Sequence, residues 1–235
     1  MIWDELPALF PSLAEPERWL PLLQAHLALV SQAEGHTRVT AVAPGEAIQR
    51  HYAESLETWR IALEASGAIP DAVVDVGSGG GYPGLVMACV APQTRFALVE
   101  PLQKRARLLQ AAADELALTN VAVYAQRAED AGRGPLRESA GLVTARAVAA
   151  LPALLEYTVP FAAQGGAIAL PKGSALPAEL AEATNAMAQL GCEHETTVAM
   201  RPAISEALTV ALFRKVATTP QRYPRRPGVP RKRPL

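Results

Sequence analysis

The sequence predicts an α/β protein with a doubly wound, largely parallel sheet of about seven strands. From residue 71 onward, short apolar runs rich in β-branched residues alternate with helical stretches, as in chains built from strand–helix–strand units. A cluster of five glycines directly follows the first run, where such sheets turn from a strand into a helix. The last two runs leave little room for a helix between them and indicate a closing antiparallel hairpin.

Each apolar run predicts one strand, and each stretch of 3.6-residue periodicity predicts one helix. The predicted strands span 72–76, 95–100, 121–125, 141–145, 166–172, 195–200 and 208–216, and the helices between them span 83–91, 102–117, 148–160 and 177–190. Upstream, apolar residues recur at helical spacing in 17–34 and 46–65, so helices precede the first strand. We therefore expect an N-terminal helical cap over 1–68, a sheet domain over 69–217 and a tail over 218–235.

Length and composition fit one large globular domain with a terminal extension. The 235 residues are 50% hydrophobic and 19% charged, and no apolar run approaches the length of a membrane-spanning helix. The N-terminus lacks the basic region of a signal peptide, so the expected location is the cytoplasm. Cys89 and Cys192 form neither a disulfide framework nor a zinc-ligand spacing, and we expect no metal.

Charge is distributed unevenly along the chain. Residues 214–235 carry eight of the 22 Lys and Arg residues and no Asp or Glu. The preceding 213 residues hold 14 basic against 23 acidic side chains, a net charge of −9. An acidic body with a basic, Pro-rich tail favours a polyanionic partner that is contacted through the tail, and a solvated extension is the alternative.

The stretch VVDVGSGGGYPG, residues 73–84, places the five glycines in its last eight positions. Because Gly loses more conformational entropy on ordering than any other residue, such a cluster indicates that bare backbone approaches a ligand. Read from Gly79, the spacing G-x-G-x-x-G is the dinucleotide-binding fingerprint. Read from Asp75, the spacing D-x-G-x-G-x-G resembles the first motif of class I S-adenosylmethionine (SAM) methyltransferases, in which the acid meets the amino group of the methionine moiety.

The residues at the ends of the second and fourth predicted strands limit which ligand can bind and which base atom could be methylated. Glu100 ends the second strand, where an acid accepts the ribose hydroxyls of either ligand. After the fourth strand, the run TARAV lacks the Asn/Asp-Pro-Pro-aromatic turn that holds an exocyclic base amine, and neither cysteine lies where pyrimidine C5 methylation needs a nucleophile. A methylated base atom would then be one with a free lone pair, such as guanine N7, for which proximity and charge stabilisation suffice.

Six motifs, in order and spacing, resemble the RsmG (GidB) family. They are DVGSGGGYPGL, LVEPLQKRARLL, RAED, VTARAVAAL, LPKG and the terminal YPRRPGVPRKRPL. The resemblance runs from about residue 35 to the C-terminus. It implies a class I SAM methyltransferase with a Rossmann-like, seven-stranded sheet, which methylates N7 of a guanine in 16S ribosomal RNA. The implied partner is that RNA or the small ribosomal subunit, and we expect a monomer that associates with no membrane.

The resemblance also carries over site residues. It implies a cofactor pocket formed by Asp75, Gly77, Gly79, Gly81, Tyr82, Glu100, Ala128, Glu129 and Arg146. Arg146 and Lys172 are the candidates for orienting the target and its phosphates in catalysis, and Lys104, Arg105, Arg225 and Arg226 are the candidates for RNA contact. Arg38 and Glu54 depart from the family pattern, where Asn and Asp are usual, which affects the cap more than the cofactor site.

Two other functions stay open. A nicotinamide-dependent oxidoreductase would use the same glycine loop and Glu100, although no Tyr-x-x-x-Lys pair follows the sheet. A non-catalytic RNA-binding protein on a methyltransferase scaffold is the second, and the presence of Asp75, Glu100 and the full glycine set argues against it. A rise in melting temperature with SAM but not with NAD distinguishes the first from a methyltransferase.

Overall fold

The computed structural model describes residues 1–33 and 42–235, and Arg38 lies outside them. Within these ranges, seven strands form one mixed sheet in the order β3-β2-β1-β4-β5-β7-β6. The strands are β1 (Ala72–Val76), β2 (Arg95–Val99), β3 (Val121–Tyr124), β4 (Ala140–Ala145), β5 (Ala162–Lys172), β6 (Cys192–Ala199) and β7 (Thr209–Lys215). The predicted α/β class is confirmed, because every predicted strand overlaps one of these.

The pairing of the strands brings the ends of three of them together. β1 pairs in parallel with β2 and with β4, and the last residues of the three strands lie side by side in register. Gly77, Glu100 and Arg146 each follow one of these strands and therefore stand at the same edge of the sheet. β7 runs antiparallel to β5 and β6, as the predicted closing hairpin requires.

Ten α-helices in the described part surround the sheet. They are α1 (Leu6–Leu9), α2 (Pro16–Ala33), α3 (Glu54–Ser66), α4 (Gly84–Val90), α5 (Gln103–Glu115), α6 (Ala128–Ala131), α7 (Leu151–Thr158), α8 (Leu176–Glu182), α9 (Thr184–Leu190) and α10 (Val229–Lys232). The helix predicted over 46–65 begins instead with a 3-10 turn and a π-helical turn, Ile48–Ala53, before α3. The helix predicted over 177–190 is divided into α8 and α9.

Alternating side chains of the central strands build two hydrophobic cores, one on each face of the sheet. Val73 of β1 belongs to the core under the cap, whereas the next residue, Val74, belongs to the core on the opposite face. The first core also contains Trp19 of α2 and Trp59 of α3, so the N-terminal helices share a core with the sheet. At about 25 cal/mol per Å², a buried side chain of that size contributes several kcal/mol.

The C-terminal tail packs against the second face of the sheet. Tyr223 is buried in that core, and the guanidinium of Arg137 donates hydrogen bonds to the Tyr223 carbonyl at 2.9 Å and to the Pro220 carbonyl at 3.4 Å. Arg225 donates through Nη2 to Oε2 of Glu156 at 2.6 Å, and the Glu156 carboxylate is fully buried. The tail is therefore part of the folded domain, and its basic residues do not all face solvent.

Within the described ranges, none of the helices combines the length and apolarity that a membrane crossing requires.

Replacing Arg225 tests the contribution of the tail to stability. Arg225→Ala leaves the buried Glu156 carboxylate without its cation, which should cost on the order of 3 kcal/mol of unfolding free energy. The neighbouring Arg226 is exposed, and Arg226→Ala should change the same quantity by less than about 0.5 kcal/mol. Urea unfolding of both variants gives the comparison, and equal midpoints would contradict the assignment.

Candidate functional site

A cavity of about 540 Å³ opens at the carboxyl edge of the sheet, where the cap meets the glycine loop. Its lining residues come from the glycine loop, the cap, α5, the segment after β4, the end of β5 and α8. Among them are Gly77, Ser78, Gly79, Gly80, Tyr82, Arg50, His51, Glu54, Arg105, Arg146, Ala147, Ala149, Lys172, Gly173 and Glu179. Its volume lies in the range of small-molecule sites, and its position is the one that ligands occupy in open α/β sheets.

The backbone of the glycine loop adopts conformations that other residues avoid. Gly77, Gly79 and Gly81 have φ values of +74°, +57° and +99°. A Cβ atom on Gly77 would lie 2.6 Å from Cγ2 of Val148, and one on Gly81 would lie 2.9 Å from Nε2 of His26. The sequence needs glycine here because both the torsion angles and the available space exclude a side chain.

Glu100 is held against this loop by two backbone donors. Its Oε2 accepts a hydrogen bond from the Gly79 N–H at 2.9 Å, and its Oε1 accepts one from the Leu102 N–H at 2.8 Å. The side chain is almost fully buried. Each carboxylate oxygen still has a second lone pair, so the group remains able to accept from ligand hydroxyls.

Asp75 lies fully buried at the end of β1. Its Oδ2 accepts a hydrogen bond from the Gly84 N–H at 3.0 Å, while its Oδ1 has no hydrogen-bond partner among the described residues. Burial raises the pKa of Asp75 to about 6, although the hydrogen bond from the Gly84 N–H and the positive charge of Arg146 act in the opposite direction. An unpaired buried carboxylate oxygen costs free energy, which a donor on a ligand would recover.

Arg146 joins the sheet edge to the cap. Its Nη1 donates to the Arg50 carbonyl at 2.6 Å and lies 3.4 Å from Oε2 of Glu54, and its Nη2 donates to Nδ1 of His51 at 2.9 Å. The guanidinium also lies 5.4 Å from the centre of the Tyr82 ring. Glu54 stands where the family favours Asp, and burial raises its pKa to about 7 despite the positive charge of Arg146.

His51 stacks on the Tyr82 ring and is held in one tautomer. The ring centroids are 4.1 Å apart with an interplanar angle of 13°. Because the Arg146 guanidinium can donate but not accept, Nδ1 of His51 accepts and its hydrogen lies on Nε2. Burial, together with the charge of Arg146, lowers the pKa of His51 to about 3, so the ring is neutral at physiological pH.

Lys172 forms part of the cavity wall and is paired with an acid. Its Nζ lies 2.5 Å from Oε2 of Glu179, and the same carboxylate oxygen accepts a hydrogen bond from the Leu151 N–H at 2.7 Å. Nζ also lies 3.5 Å from the Ala149 carbonyl. These contacts connect β5, α8 and the start of α7, so Lys172 supports the segment that follows Arg146.

The structure brings part of the predicted site together at the cavity wall. The predicted residues that line it are Gly77, Gly79, Tyr82, Arg105, Arg146 and Lys172. The predicted residues outside its lining are Asp75, Gly81, Glu100, Ala128, Glu129, Lys104, Arg225 and Arg226. Ala128 and Glu129 begin α6, and Glu129 accepts a hydrogen bond from the Gly228 N–H of the tail at 2.8 Å. Arg225 is already paired with Glu156.

Sequence reasoning missed the contribution of the cap to this site. Arg50, His51 and Glu54 all reach the cavity from the π-helical turn and the start of α3. Their polar character inside a mostly apolar helical stretch was the available signal, since polar side chains on a helix that packs into a core need partners. Across the described ranges, no group of three His, Cys, Asp or Glu side chains could hold a metal ion.

A family model described as rRNA small subunit methyltransferase G (GidB) matches residues 19–208. The chain belongs to this family. The family match confirms the resemblance carried by the six sequence motifs, which include the glycine loop and the Arg after β4. Neither an oxidoreductase nor a non-catalytic RNA-binding protein is favoured by it.

Curated members of the rRNA small subunit methyltransferase G family match over most of the chain. The protein of Leuconostoc citreum is 34% identical over 221 residues, which cover 93% of this chain and 92% of that protein. The protein of Roseiflexus castenholzii is 41% identical over 191 residues, covering 81% and 80%. Both relatives carry the printed description "Ribosomal RNA small subunit methyltransferase G".

Solved structures of lower identity share the fold. Cofactor-bound Rv0187 from MTB is 19% identical with a TM-score of 0.56, and the match covers 83% of this chain and 89% of that one. A SAM-dependent O-methyltransferase from Thermotoga maritima is 15% identical with a TM-score of 0.52, covering 82% and 72%. The prediction of a class I SAM-methyltransferase fold is confirmed.

The raised pKa of Asp75 predicts a specific pH dependence of stability. Because the folded state holds the proton more tightly than the unfolded chain, this group's stabilising contribution is present below its unfolded pKa of 3.8 and is lost as the pH rises through about 6. Between about pH 4 and about pH 7, wild type should lose roughly 2–3 kcal/mol of unfolding free energy relative to Asp75→Asn. Urea unfolding at both pH values measures this difference, and parallel profiles would mean that the buried carboxyl is already ionised.

Proposed function

We propose that the protein transfers a methyl group from SAM to N7 of a guanine in 16S ribosomal RNA. The observation that carries the proposal is the cavity at the carboxyl edge of the sheet, where the glycine loop exposes backbone beside two buried acids. Family membership and the names of the curated relatives support the RNA substrate. The choice of N7 rests on the resemblance and on the chemistry of the site.

The residues at this edge fit SAM. Gly79 leaves space for a ligand to approach its backbone, since a Cβ there would meet only the Gly77 carbonyl oxygen at 3.8 Å, and Gly77 lines the same cavity. The unpaired Oδ1 of Asp75 suits an ammonium donor, and the Glu100 carboxylate suits ribose hydroxyls. Ala128 and Glu129, at the start of α6, are the candidates for adenine contact. When bound, SAM supplies a methyl group on a positively charged sulfonium.

The residues of the protein then have to bind SAM and orient the guanine, and they do not have to remove a proton from it. Guanine N7 carries a lone pair, so its methylation needs no general base, and His51 is held neutral with Nδ1 occupied. Arg146 is fixed by acceptors on the cap and lines the cavity, where it can orient the base. Arg50 and Arg105 add positive charge at the wall for RNA phosphates, and Lys172, whose charge is balanced by Glu179, lines the same wall.

RNA contact outside the cavity is proposed for the exposed basic side chains. Lys104 at the start of α5 and Arg226 in the tail are exposed, whereas Arg225 is paired with Glu156.

The proposal includes a division of the chain into a cap (1–68), a methyltransferase domain (69–217) and a tail (218–235). A ribosomal substrate also places the reaction in the cytoplasm, with a monomer as the expected active form.

The decisive experiment maps N7-methylguanosine in 16S rRNA from cells with and without the gene, together with methyl transfer by the purified protein. We expect one guanine to lose its N7 methyl group when the gene is absent and to regain it when the protein and SAM are added. A methyl group found on another atom would overturn the choice of N7. Binding of NAD but not SAM would overturn the function itself.

Gly77→Ala tests the role of the glycine loop in cofactor binding. The new Cβ would collide with Cγ2 of Val148, so the loop backbone has to shift and SAM affinity should fall at least about tenfold, while the left-handed torsion costs about 1–2 kcal/mol of stability. Calorimetric titration with SAM measures the loss. Adding Val148→Ala removes the clashing atom and should restore part of the affinity.

Gly134→Ala is the matched control for this test. A Cβ there would lie 3.4 Å from the Ala131 carbonyl, an ordinary contact, and the position is remote from the cavity wall. Its affinity for SAM should equal that of wild type. Unchanged affinity in a folded Gly77→Ala variant would contradict the cofactor assignment.

Arg146→Ala should affect turnover more than SAM affinity. The side chain touches the cap and the Tyr82 ring and lines the cavity, so its loss removes a charged group that orients the target. We expect methyl transfer at saturating RNA to slow by about ten- to a hundredfold, with a smaller change in the dissociation constant for SAM. Arg95→Ala, an exposed position at the start of β2, is the control. A near wild-type rate would assign Arg146 a purely structural role.

A further inference from the structure

His26 of α2 lies fully buried directly beneath the glycine loop. Its Nε2 is 2.9 Å from the Gly80 carbonyl oxygen, and it is also the atom that a side chain at Gly81 would strike. On the other side of the ring, Nδ1 is 3.0 Å from the hydroxyl of Tyr52, which belongs to the π-helical turn. The Tyr52 hydroxyl in turn lies 3.3 Å from the hydroxyl of Tyr82, back in the glycine loop.

The direction of each hydrogen bond in this series follows from the Gly80 carbonyl, which is its last acceptor. A carbonyl can only accept, so Nε2 of His26 carries the hydrogen and donates to Gly80. Burial lowers the pKa of His26 to about 4, so the ring is neutral and Nδ1 accepts from Tyr52. With its hydrogen given to His26, the Tyr52 oxygen accepts from the Tyr82 hydroxyl.

The chain of hydrogen bonds therefore starts and ends within the glycine loop and passes through two elements of the cap. Gly79, Gly80 and Gly81 are three consecutive glycines, which lose much conformational entropy when they are ordered. The Gly79 N–H is held by Glu100 and the Gly81 N–H by the Ser78 carbonyl, while the Gly80 carbonyl is held by His26. A loop that is already ordered before its ligand arrives binds that ligand more tightly.

We propose that His26 and Tyr52 are positioning residues for the cofactor: from the cap, they hold the glycine loop in the conformation that receives SAM. The proposal rests on the proposed function, because it takes the glycine loop as the SAM-binding element. It assigns the cap a role in cofactor affinity in addition to its packing role. Neither side chain lines the cavity, so the effect acts through Gly80 and Tyr82, which do.

Two substitutions at position 26 separate positioning from packing. His26→Leu replaces the imidazole with an apolar side chain of similar size and removes the donor, and we expect SAM affinity to fall by about ten- to a hundredfold because the buried Gly80 carbonyl loses its partner. His26→Gln keeps a nitrogen donor at a similar reach and should bind SAM within about threefold of wild type, since a typical neutral hydrogen bond is retained. Calorimetric titration with SAM and urea unfolding are measured on the same samples.

Tyr52→Phe keeps the test decisive if His26→Leu does not fold. It removes one hydroxyl with almost no change in volume, and we expect a loss of SAM affinity of about three- to tenfold. At saturating SAM, the rate of methyl transfer should approach that of wild type, so the Michaelis constant for SAM rises while turnover is kept. His194→Leu, on β6 and bonded to Thr197, is the matched histidine control and should leave SAM affinity unchanged.

The outcomes distinguish this inference from the proposed function. Wild type that binds SAM, together with folded His26→Leu or Tyr52→Phe variants that bind it equally well, would overturn the positioning role and leave the methyltransferase intact. A His26→Gln variant as weak as His26→Leu would also overturn it, because the donor would not then be what matters. Wild type that does not bind SAM would overturn both.

Discussion

The loop after β1 must offer backbone instead of side chains, and the architecture around it follows from that requirement. Three of its glycines have left-handed torsion angles, and the space beside two of them is taken by Val148 and His26. Ordering such a segment costs much conformational entropy. The surrounding structure offsets this cost by holding the loop with hydrogen bonds to Glu100, which follows the neighbouring strand, and to His26 of the cap.

Some of the positively charged side chains are paired with carboxylates, and others are exposed to solvent. Arg146, Lys172 and Arg225 are each held by a carboxylate, so they stabilise the fold around the cavity and the tail before any partner is present. The exposed cations, such as Arg226, remain available to a polyanion. Net charge along the sequence, with an acidic body and a basic tail, therefore overstates how much of the tail is free to bind RNA.

Local patterns were sufficient to predict the sheet, because each buried strand is a short apolar run and the order of strands follows from alternation with helices. They were insufficient for the π-helical turn at Ile48–Ala53 and for the division between α8 and α9, which depend on packing. In the site, the glycine loop could be recognised from its spacing. The partners of Arg146 could not, because Arg50 is 96 residues away and meets it only after the cap has packed.

The pairing of Glu156 with Arg225 has a consequence for how the chain is made. Glu156 is synthesised 69 residues before its partner, and it becomes fully buried in the core on the second face of the sheet. Until Arg225 has left the ribosome, that carboxylate lacks the guanidinium that pairs with it in the folded protein, and burying it alone is costly. The face of the sheet that buries Glu156 therefore stays incomplete after all seven described strands have been synthesised, until Arg225 pairs with that carboxylate.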